Sequence, residues 1–400
     1  MNEQLTALFQ NQEKNGLYKF KQKAWDRFQE VGLPDAKNET YQYVRLRKLF
    51  EKPLKTSPKQ SPVHKENTIV IGSDFITYPE IKGVTILPLK EAAEDFSTLL
   101  QNQFNRFLKE ERDPFALMNG ALYTGGVLVY ISPKTVLDRP LTVEYLCLDD
   151  SFLVPKVHFF FGSESKGDII ERNSSKKGIV NALVDFNLED KAIVTYTQVA
   201  LNNEGWVFDF TRVLMKRDSQ FTSHLVTNGS ETVRYDYGVQ LRGEGGVAHL
   251  NGLWMLNGSN EGHVHVLMEH IAPYCESLQH FKGALDGASR SSFEGKILVR
   301  KEAQKTNSFQ MNNNLLLSSG AQANSKPNLE IFADDVKASH GSTVGQLDDE
   351  ELFYLRTRGY TKSEAEGILT QGFLREIIEK IDQKEIKDEA LQAMGQFLKR

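Results

Sequence analysis

The spacing of apolar positions changes twice along the chain. Near the N-terminus these positions recur every three or four residues, which predicts an amphipathic helix that ends at Gly32-Leu33-Pro34. A second helix is predicted over 89–109, and the polar segment 52–67, rich in Pro, Ser and Lys, predicts a linker. The apolar positions of the first helix are Leu17, Phe20, Ala24, Phe28 and Val31, with Trp25 beside them.

From about Phe115 onward, apolar residues alternate with polar ones or cluster in short runs, with turn signals between them. This pattern predicts β structure without interleaved helices. Periodicity alone leaves a sandwich, a barrel and a stacked solenoid open, and general priors favour the sandwich, since no clear fixed repeat is visible. The predicted strands are 126–131, 141–148, 157–161, 192–201, 206–215, 223–226, 239–241, 264–268 and 296–299.

The last part of the chain returns to helical spacing. Asp348 or Asp349 is predicted to cap a short helix that ends at Arg358-Gly359. Thr361 and Glu364 have the spacing of a capping box, and a final helix is predicted over 385–398. We therefore expect three regions: a mostly helical 1–110, a β core over 111–345 and a helical 346–400.

Composition excludes several classes of protein. The chain has 400 residues, a net charge of −5 and two cysteines. A nucleic-acid-binding protein normally has a basic surplus, and a disulfide framework needs more thiols. No apolar run approaches the ~20 residues of a membrane helix, and the N-terminus does not resemble an export signal. We expect a cytoplasmic protein that binds neither nucleic acid nor membrane.

Candidate chemistry is sparse. Cys147 alternates with apolar residues and is predicted to face the core, whereas Cys275 is predicted to lie in a loop. His263 and His265 share a face of a predicted strand and could bind a metal, with His270 further on, but a structural role is favoured. The adjacent acids at 334 and 335 would point to opposite faces of a strand, so we predict a turn there.

One dense stretch near the C-terminus resembles the SufD family, a scaffold subunit of the SUF iron–sulfur cluster assembly machinery. The resemblance rests on KPNLEIFADDVKASHGSTVG over 326–345 and DDEELFYLRTRG over 348–359. It extends to Asp286-Gly287, to 314–318 and, more loosely, to Trp25 and Gly32-Leu33-Pro34. It implies a right-handed parallel β-helix core with helical N- and C-terminal regions, and therefore favours the solenoid.

The resemblance also implies a non-catalytic scaffold. Such a subunit would pair with SufB, and a transient iron–sulfur cluster would form at their boundary near His340. Relatives often have a cysteine two positions before this histidine, where the chain has Ala338, so His340 is a candidate single metal ligand shared with the partner. The resemblance further implies that the SufC ATPase docks on the C-terminal helices, with these contact residues: Leu352, Phe353, Tyr354, Leu355 and Arg358.

Two cysteines cannot supply the roughly four ligands that a conventional cluster requires. We therefore expect no cofactor held stably by this chain alone, and a homodimer of the isolated chain stays open. The alternative function is a β-solenoid enzyme acting on polysaccharide, with Asp334 or Asp335 as a candidate acid. The lack of an export signal and of paired acids at usable spacing counts against this alternative.

Overall fold

A computed structural model describes residues 1–35, 38–55, 59–173, 177–201 and 203–399. Most of the chain forms two ten-stranded sheets. The strands of the first half are β1 (Thr68–Ile71), β2 (Ile76–Thr77), β3 (Val84–Pro88), β4 (Gly125–Ile131), β5 (Leu141–Tyr145), β6 (Phe152–Leu153), β7 (Pro155–Phe161), β8 (Lys166–Asn173), β9 (Ile179–Leu188) and β10 (Ile193–Ala200). Those of the second half are β11 (Trp206–Met215), β12 (Gln220–Thr227), β13 (Thr232–Leu241), β14 (Val247–Leu256), β15 (Glu261–His270), β16 (Glu276–Leu285), β17 (Arg290–Val299), β18 (Asn307–Leu316), β19 (Gln322–Ile331) and β20 (Lys337–Gly345).

Consecutive strands from β7 to β20 alternate between the two sheets. Each pairs in parallel with the strand two positions along the chain, as β9 does with β11 and β11 with β13. The chain therefore winds as a flattened β-solenoid with a lumen between its two sheets. This confirms the predicted mainly-β parallel β-helix, and the sandwich favoured by general priors is wrong.

The corners of the solenoid repeat although the sequence does not. Along one edge, residues with left-handed backbone conformation recur every 27 to 31 positions. The N–H of each corner residue donates to a carbonyl of the next turn, as Lys191 does to Arg217 and Asp218 to Glu244, both at 2.8 Å. Residue types at these corners differ, which hid the repeat from the sequence. The corner residues are Lys134, Glu164, Lys191, Asp218, Gly245, Tyr274 and Lys305.

The lumen is apolar and aromatic in the first turns. Alternate residues of each strand point inward, so Phe159 and Phe186 on neighbouring strands stack with their ring centroids 4.9 Å apart. The ring of Tyr196 approaches Phe186 from the facing sheet at 4.8 Å. This continuous core explains how a chain with two cysteines folds without disulfides.

The N-terminal helices cover the outer face of the sheet that contains β4, β7, β9 and β11. The predicted stop after the first long helix is confirmed, since Gly32 has a φ of +74°. The single helix predicted over 89–109 is wrong, because the chain breaks at Phe96 between two helices. These helices are α1 (Asn2–Gln10), α2 (Tyr18–Val31), α3 (Arg47–Glu51), α4 (Leu89–Asp95), α5 (Ser97–Glu110) and α6 (Pro114–Leu122).

The C-terminal helices are α7 (Asp349–Thr357), α8 (Lys362–Ile378) and α9 (Lys384–Phe397). The predicted capping box is confirmed, since Thr361 and Glu364 bond reciprocally at the start of α8. Helices α8 and α9 pack on the outer face of the sheet opposite to the one that α1–α6 cover. In the described residues no helix is both long and apolar enough to cross a membrane.

The predicted linker 52–67 lies between α3 and β1. Residues 56–58 of this segment lie outside the described residues. In the rest of it, Lys55 forms an isolated bridge with Ser151, and most of 59–66 is exposed.

Two carboxyl groups face each other inside the lumen. Glu171 accepts hydrogen bonds from the hydroxyls of Tyr145 at 2.8 Å and Tyr196 at 2.7 Å. Burial, followed by the charge of the nearby Glu171, raises the pKa of Asp209 well above its ordinary value. Asp209 therefore retains a proton at a pH at which the unfolded chain has lost it.

This proton makes stability dependent on pH. A carboxyl group whose pKa is higher in the folded state stabilises the fold at low pH, and this contribution is lost as the pH rises above the unfolded value. We predict that Asp209→Asn increases the free energy of unfolding at pH 8, where an unfolded aspartate ionises freely but the buried one does not, with little effect near pH 4. Thermal unfolding between pH 4 and pH 8 tests this prediction. The control is Asp95→Asn, at an exposed position. A lower midpoint than wild type at pH 8 would contradict it.

Candidate functional site: the open end of the solenoid

The solenoid ends in two strands that each have only one neighbour. β20 pairs only with β18, and β19 pairs only with β17. Each therefore presents a row of backbone N–H and C=O groups without partners in its own sheet. Such edges readily pair with strands of another chain.

Exposed apolar side chains surround this open end. Phe309, Ile331, Phe332 and Val344 all lie on or beside its last strands, and between 38% and 55% of each side chain's surface is exposed. Exposed apolar residues grouped at an unpaired edge are typical of a surface that a partner covers.

His340 lies at this end, in the middle of β20, and is exposed. It pairs in register with Gln310 of β18, whose side chain is fully buried in the lumen. Ala338 lies two residues earlier on the same face and is half-buried. A methyl group cannot bind iron, whereas an imidazole can, so of these two side chains only that of His340 has a potential metal-binding group.

Neither cysteine side chain is exposed at this edge. Cys147 is buried in the core, as predicted. Cys275 lies between strands, as predicted, but its side chain is also buried and its Sγ donates to the carbonyl of Gly243 at 3.3 Å. Burial raises the pKa of the Cys275 thiol, which lowers its reactivity.

The three other candidate histidines are occupied by structural contacts. His263 lies between the Ser292 hydroxyl at 2.7 Å and Glu261 at 3.1 Å. His265 Nδ1 lies 2.8 Å from Asp236, and His270 points into the lumen, where it meets the Ser277 hydroxyl at 2.8 Å. Within the described ranges, no three His, Cys, Asp or Glu side chains are grouped so as to hold a metal ion.

Asp334 and Asp335 lie in the bend between β19 and β20, as predicted. The Asp335 carbonyl accepts from the Lys305 N–H at 2.6 Å, its N–H donates to the Gln304 side chain at 3.0 Å, and its carboxylate pairs with Lys305. Asp335 therefore stabilises a corner of the solenoid, and its carboxylate is paired with Lys305.

The residues predicted to dock an ATPase lie on α7 and at its C-terminal cap. Asp348 caps this helix, which packs against α8 and has no fully buried side chain. Phe353 and Tyr354 are 69% and 56% exposed, and the Arg358 guanidinium lies 5.1 Å from the Tyr354 ring centre. Leu352 and Leu355 are half-buried. The structure thus places four of the five predicted residues on α7 and the fifth, Arg358, at its C-terminal cap.

Helix α7 packs against α8, and ion pairs anchor α8 and α9 to the sheet. Arg172 of β8 makes two hydrogen bonds with Glu389 of α9, at 2.7 and 2.8 Å. Lys282 of β16 pairs with Glu376 of α8. Apolar residues of both helices are buried against the sheet beneath these contacts.

Sequence reasoning missed a charged cavity of about 410 Å³ between the N-terminal helices and the outer face of the solenoid. Arg212 lies in its wall and binds Glu111 at 2.8 Å and Asp236 at 2.9 Å. Arg234 binds Asp236 at 2.9 Å. No local signal marks this cluster, because its members come from distant parts of the chain.

The charges in this cluster compensate one another. Burial alone would raise the pKa of Asp236, but His265, Arg212 and Arg234 hold it below its ordinary value. Burial and the charge of Asp236 raise the pKa of Asp113 to about 6. Tyr41 donates to Asp113 at 2.7 Å, which ties the first helical segments to α6. We interpret the network as the junction of helices and solenoid.

Comparison with known proteins identifies the family of this chain. The family model described as "SUF system FeS cluster assembly, SufBD core domain" matches residues 147–373. A second family model, described as "SufBD protein N-terminal region", matches residues 1–70 and 66–143. The chain belongs to the SufBD family. Its membership confirms the resemblance to SufD seen in the sequence.

Relatives support this assignment along the chain. The iron–sulfur cluster assembly protein SufD of Escherichia coli is 36% identical over 92% of this chain and 90% of its own length. SufD of Bacillus subtilis is 25% identical over 80% of this chain and 75% of its own length. A SufBD family protein of Mycobacterium leprae is 36% identical over 53% of this chain, which spans 56% of that relative.

The charged junction leads to a prediction about stability. Replacing Arg212 by methionine would leave Glu111 and Asp236 buried without their shared cation. We predict a loss of about 3–5 kcal/mol in the free energy of unfolding. Urea denaturation measures this loss. In the control, Arg47→Met removes an ion pair whose arginine side chain is 92% exposed, and a change below about 0.5 kcal/mol is expected. Equal effects of the two variants would contradict the role assigned to Arg212.

Proposed function

We propose that this SufBD-family protein is a non-catalytic scaffold subunit of a cytoplasmic iron–sulfur cluster assembly complex. The open end of its solenoid pairs with a SufB-like subunit, and a transient cluster forms at the boundary beside His340. The C-terminal helix α7 docks a SufC-like ATPase. The cluster is the cargo of the complex, and this chain supplies one wall of the assembly site.

The observation that carries this proposal is the position of His340 in β20, an edge strand that pairs with β18 on one side and has no partner strand on the other. An exposed imidazole surrounded by edge backbone groups and apolar side chains suits a partner surface better than a substrate cleft. A partner strand would satisfy the backbone groups and would bring its own ligands to the histidine.

The buried thiols support a shared site. Clusters are held mostly by cysteine thiolates, about four in each. Cys147 and Cys275 are both buried, and Ala338 offers no ligand. A single exposed histidine can contribute one bond, so a partner must supply the others.

The exposed face of α7 supports ATPase docking. Phe353 and Tyr354 are large aromatic residues of the kind that dominate protein interfaces. They lie on a helix whose anchor, α8, packs on β14 and β16 of the sheet that contains β20. A force applied to α7 would therefore reach the sheet that carries His340.

The edge pairing is tested with proline. The N–H of Lys337 donates to Thr306 on the β18 side at 2.8 Å, so by strand alternation the N–H of Thr343 faces β18 and that of Ser342 faces the free edge. Ser342→Pro removes an edge donor without breaking the subunit's own ladder. We predict an unchanged thermal midpoint and at least about tenfold weaker binding to the SufB-like subunit, which corresponds to about 1.4 kcal/mol.

Two variants control this test. Ser342→Ala keeps the N–H and should bind as wild type does, whereas Thr343→Pro should lower the thermal midpoint because it removes a bond to β18. Size-exclusion chromatography of the isolated chain shows whether the same edge forms a homodimer. Wild-type affinity of Ser342→Pro for the SufB-like subunit would refute pairing through this edge.

ATPase docking is tested on α7. Phe353→Asp places a charge in the proposed apolar contact, and we predict a loss of about 2 kcal/mol or more, roughly 30-fold in affinity for the SufC-like subunit. Because Phe353 is 69% exposed, the thermal midpoint should not change. Val136→Asp, at a position 59% exposed on the turn between β4 and β5, is the matched control. Undiminished co-elution of Phe353→Asp with the ATPase would exclude α7 as the docking site.

A further inference from the structure

The row of side chains behind His340 leads into the lumen. In register on successive strands of one sheet lie Tyr196, Ser223, Leu250, Gln279, Gln310 and His340. Tyr196 and Leu250 belong to the lumen core. Because side chains in one row of a sheet share a face, His340 continues this inward-facing row at the open end.

Two buried amides form the inner part of the row. Gln279 and Gln310 are fully buried, and Nε2 of Gln310 donates to Oε1 of Gln279 at 2.8 Å. Gly295 on the facing sheet leaves the necessary space, since a Cβ there would lie 1.9 Å from Gln310 Nε2. The pair is therefore built into the packing of the lumen.

The outer end of this amide pair has an unused acceptor. Gln310 Oε1 is buried and accepts no hydrogen bond from the residues that the structure describes. A buried acceptor without a partner costs about 1–3 kcal/mol. The next residue in the row is His340, on a neighbouring strand about 4.8 Å away. Its imidazole is exposed, so the ring can rotate without displacing other side chains.

We propose that Gln310 is the positioning residue for His340. Its Oε1 accepts a hydrogen bond from one ring N–H of the neutral imidazole. Neutral imidazole has one donor nitrogen and one acceptor nitrogen, so this bond fixes the tautomer and leaves the lone pair on the other nitrogen. That nitrogen then faces the boundary with the partner, ready to bind an iron ion of the cargo.

This inference rests on the proposed function of His340 and explains why an amide lies in a core position. An amide oxygen can only accept, so of the two neutral tautomers it favours the one whose N–H is directed inward. Hydrogen bonds of this kind orient metal-binding histidines, and their loss typically costs 10–100-fold in affinity or activity. The Gln279 amide holds Gln310 in place through the 2.8 Å bond.

The test uses full-length chain labelled with ¹⁵N in its nine histidines. The His340 signals are identified by their absence in His340→Ala, and ring ¹⁵N shifts report the tautomer. We expect one neutral tautomer in wild type and a mixture in Gln310→Leu. A cluster assembly assay in the reconstituted complex should show about tenfold slower formation for Gln310→Leu, with the complex intact.

Asn314→Leu is the matched control. Asn314 is a buried amide on the same strand, also with an unpartnered oxygen, but its register partner on β20 is Val344 rather than His340. It should leave the His340 spectrum unchanged. If Gln310→Leu folds poorly, the double variant Gln279→Leu/Gln310→Leu replaces both amides with apolar groups and should give the same mixture.

Different results would contradict the positioning role of Gln310 and the assembly-site role of His340. Identical His340 spectra in wild type and Gln310→Leu would overturn the positioning role, whatever the cluster yield. Wild-type cluster yield with His340→Ala would remove His340 from the assembly site, while the spectra would still decide whether Gln310 binds it.

Discussion

A parallel solenoid satisfies its backbone hydrogen bonds only by adding another turn, and every such chain must stop somewhere. At the first end, the sheets finish in short antiparallel pairings: β2 pairs with β1, and β3 pairs with β4. At the last end, β19 and β20 are left without outer neighbours. The edge strands at the two ends differ in length, since β2 and β3 have two and five residues whereas β19 and β20 have ten and nine. Longer edges leave more backbone groups free for a partner strand. The proposed site lies at the open end.

The lumen changes character between these ends. Stacked aromatic rings such as Phe159 and Phe186 fill the first turns, whereas β18 presents Ser308, Gln310 and Asn312 at the equivalent inward positions. Buried amides cost free energy unless they are paired, so an apolar core would be the simpler choice for stability alone. Their concentration next to the open end connects the interior of the subunit to the surface where the partner is expected.

The helical regions attach to opposite outer faces by different means. The N-terminal helices combine a large apolar contact with the buried ion network around Arg212. The C-terminal pair α8 and α9 buries a smaller apolar cluster and adds the ion pairs of Arg172 with Glu389 and of Lys282 with Glu376. Because α7 packs against α8 and buries no side chain, it remains available as a surface, and α8 connects it to the sheet that contains His340.

The sequence by itself determined what is decided by neighbours along the chain: the stop at Gly32, the capping box of Thr361 and Glu364, the turn at Asp334, and the family. Local spacing did not reveal that Phe96 breaks a helix, that Cys275 is buried or that Asn312 to Asn314 lie within a strand. Nor did it show that Arg212, Glu111 and Asp236 meet. Only the tertiary structure decided these, because which face of a strand becomes the lumen depends on pairing with residues about thirty positions away. The same strand register places Gln310 beside His340, and no sequence motif predicts this pairing.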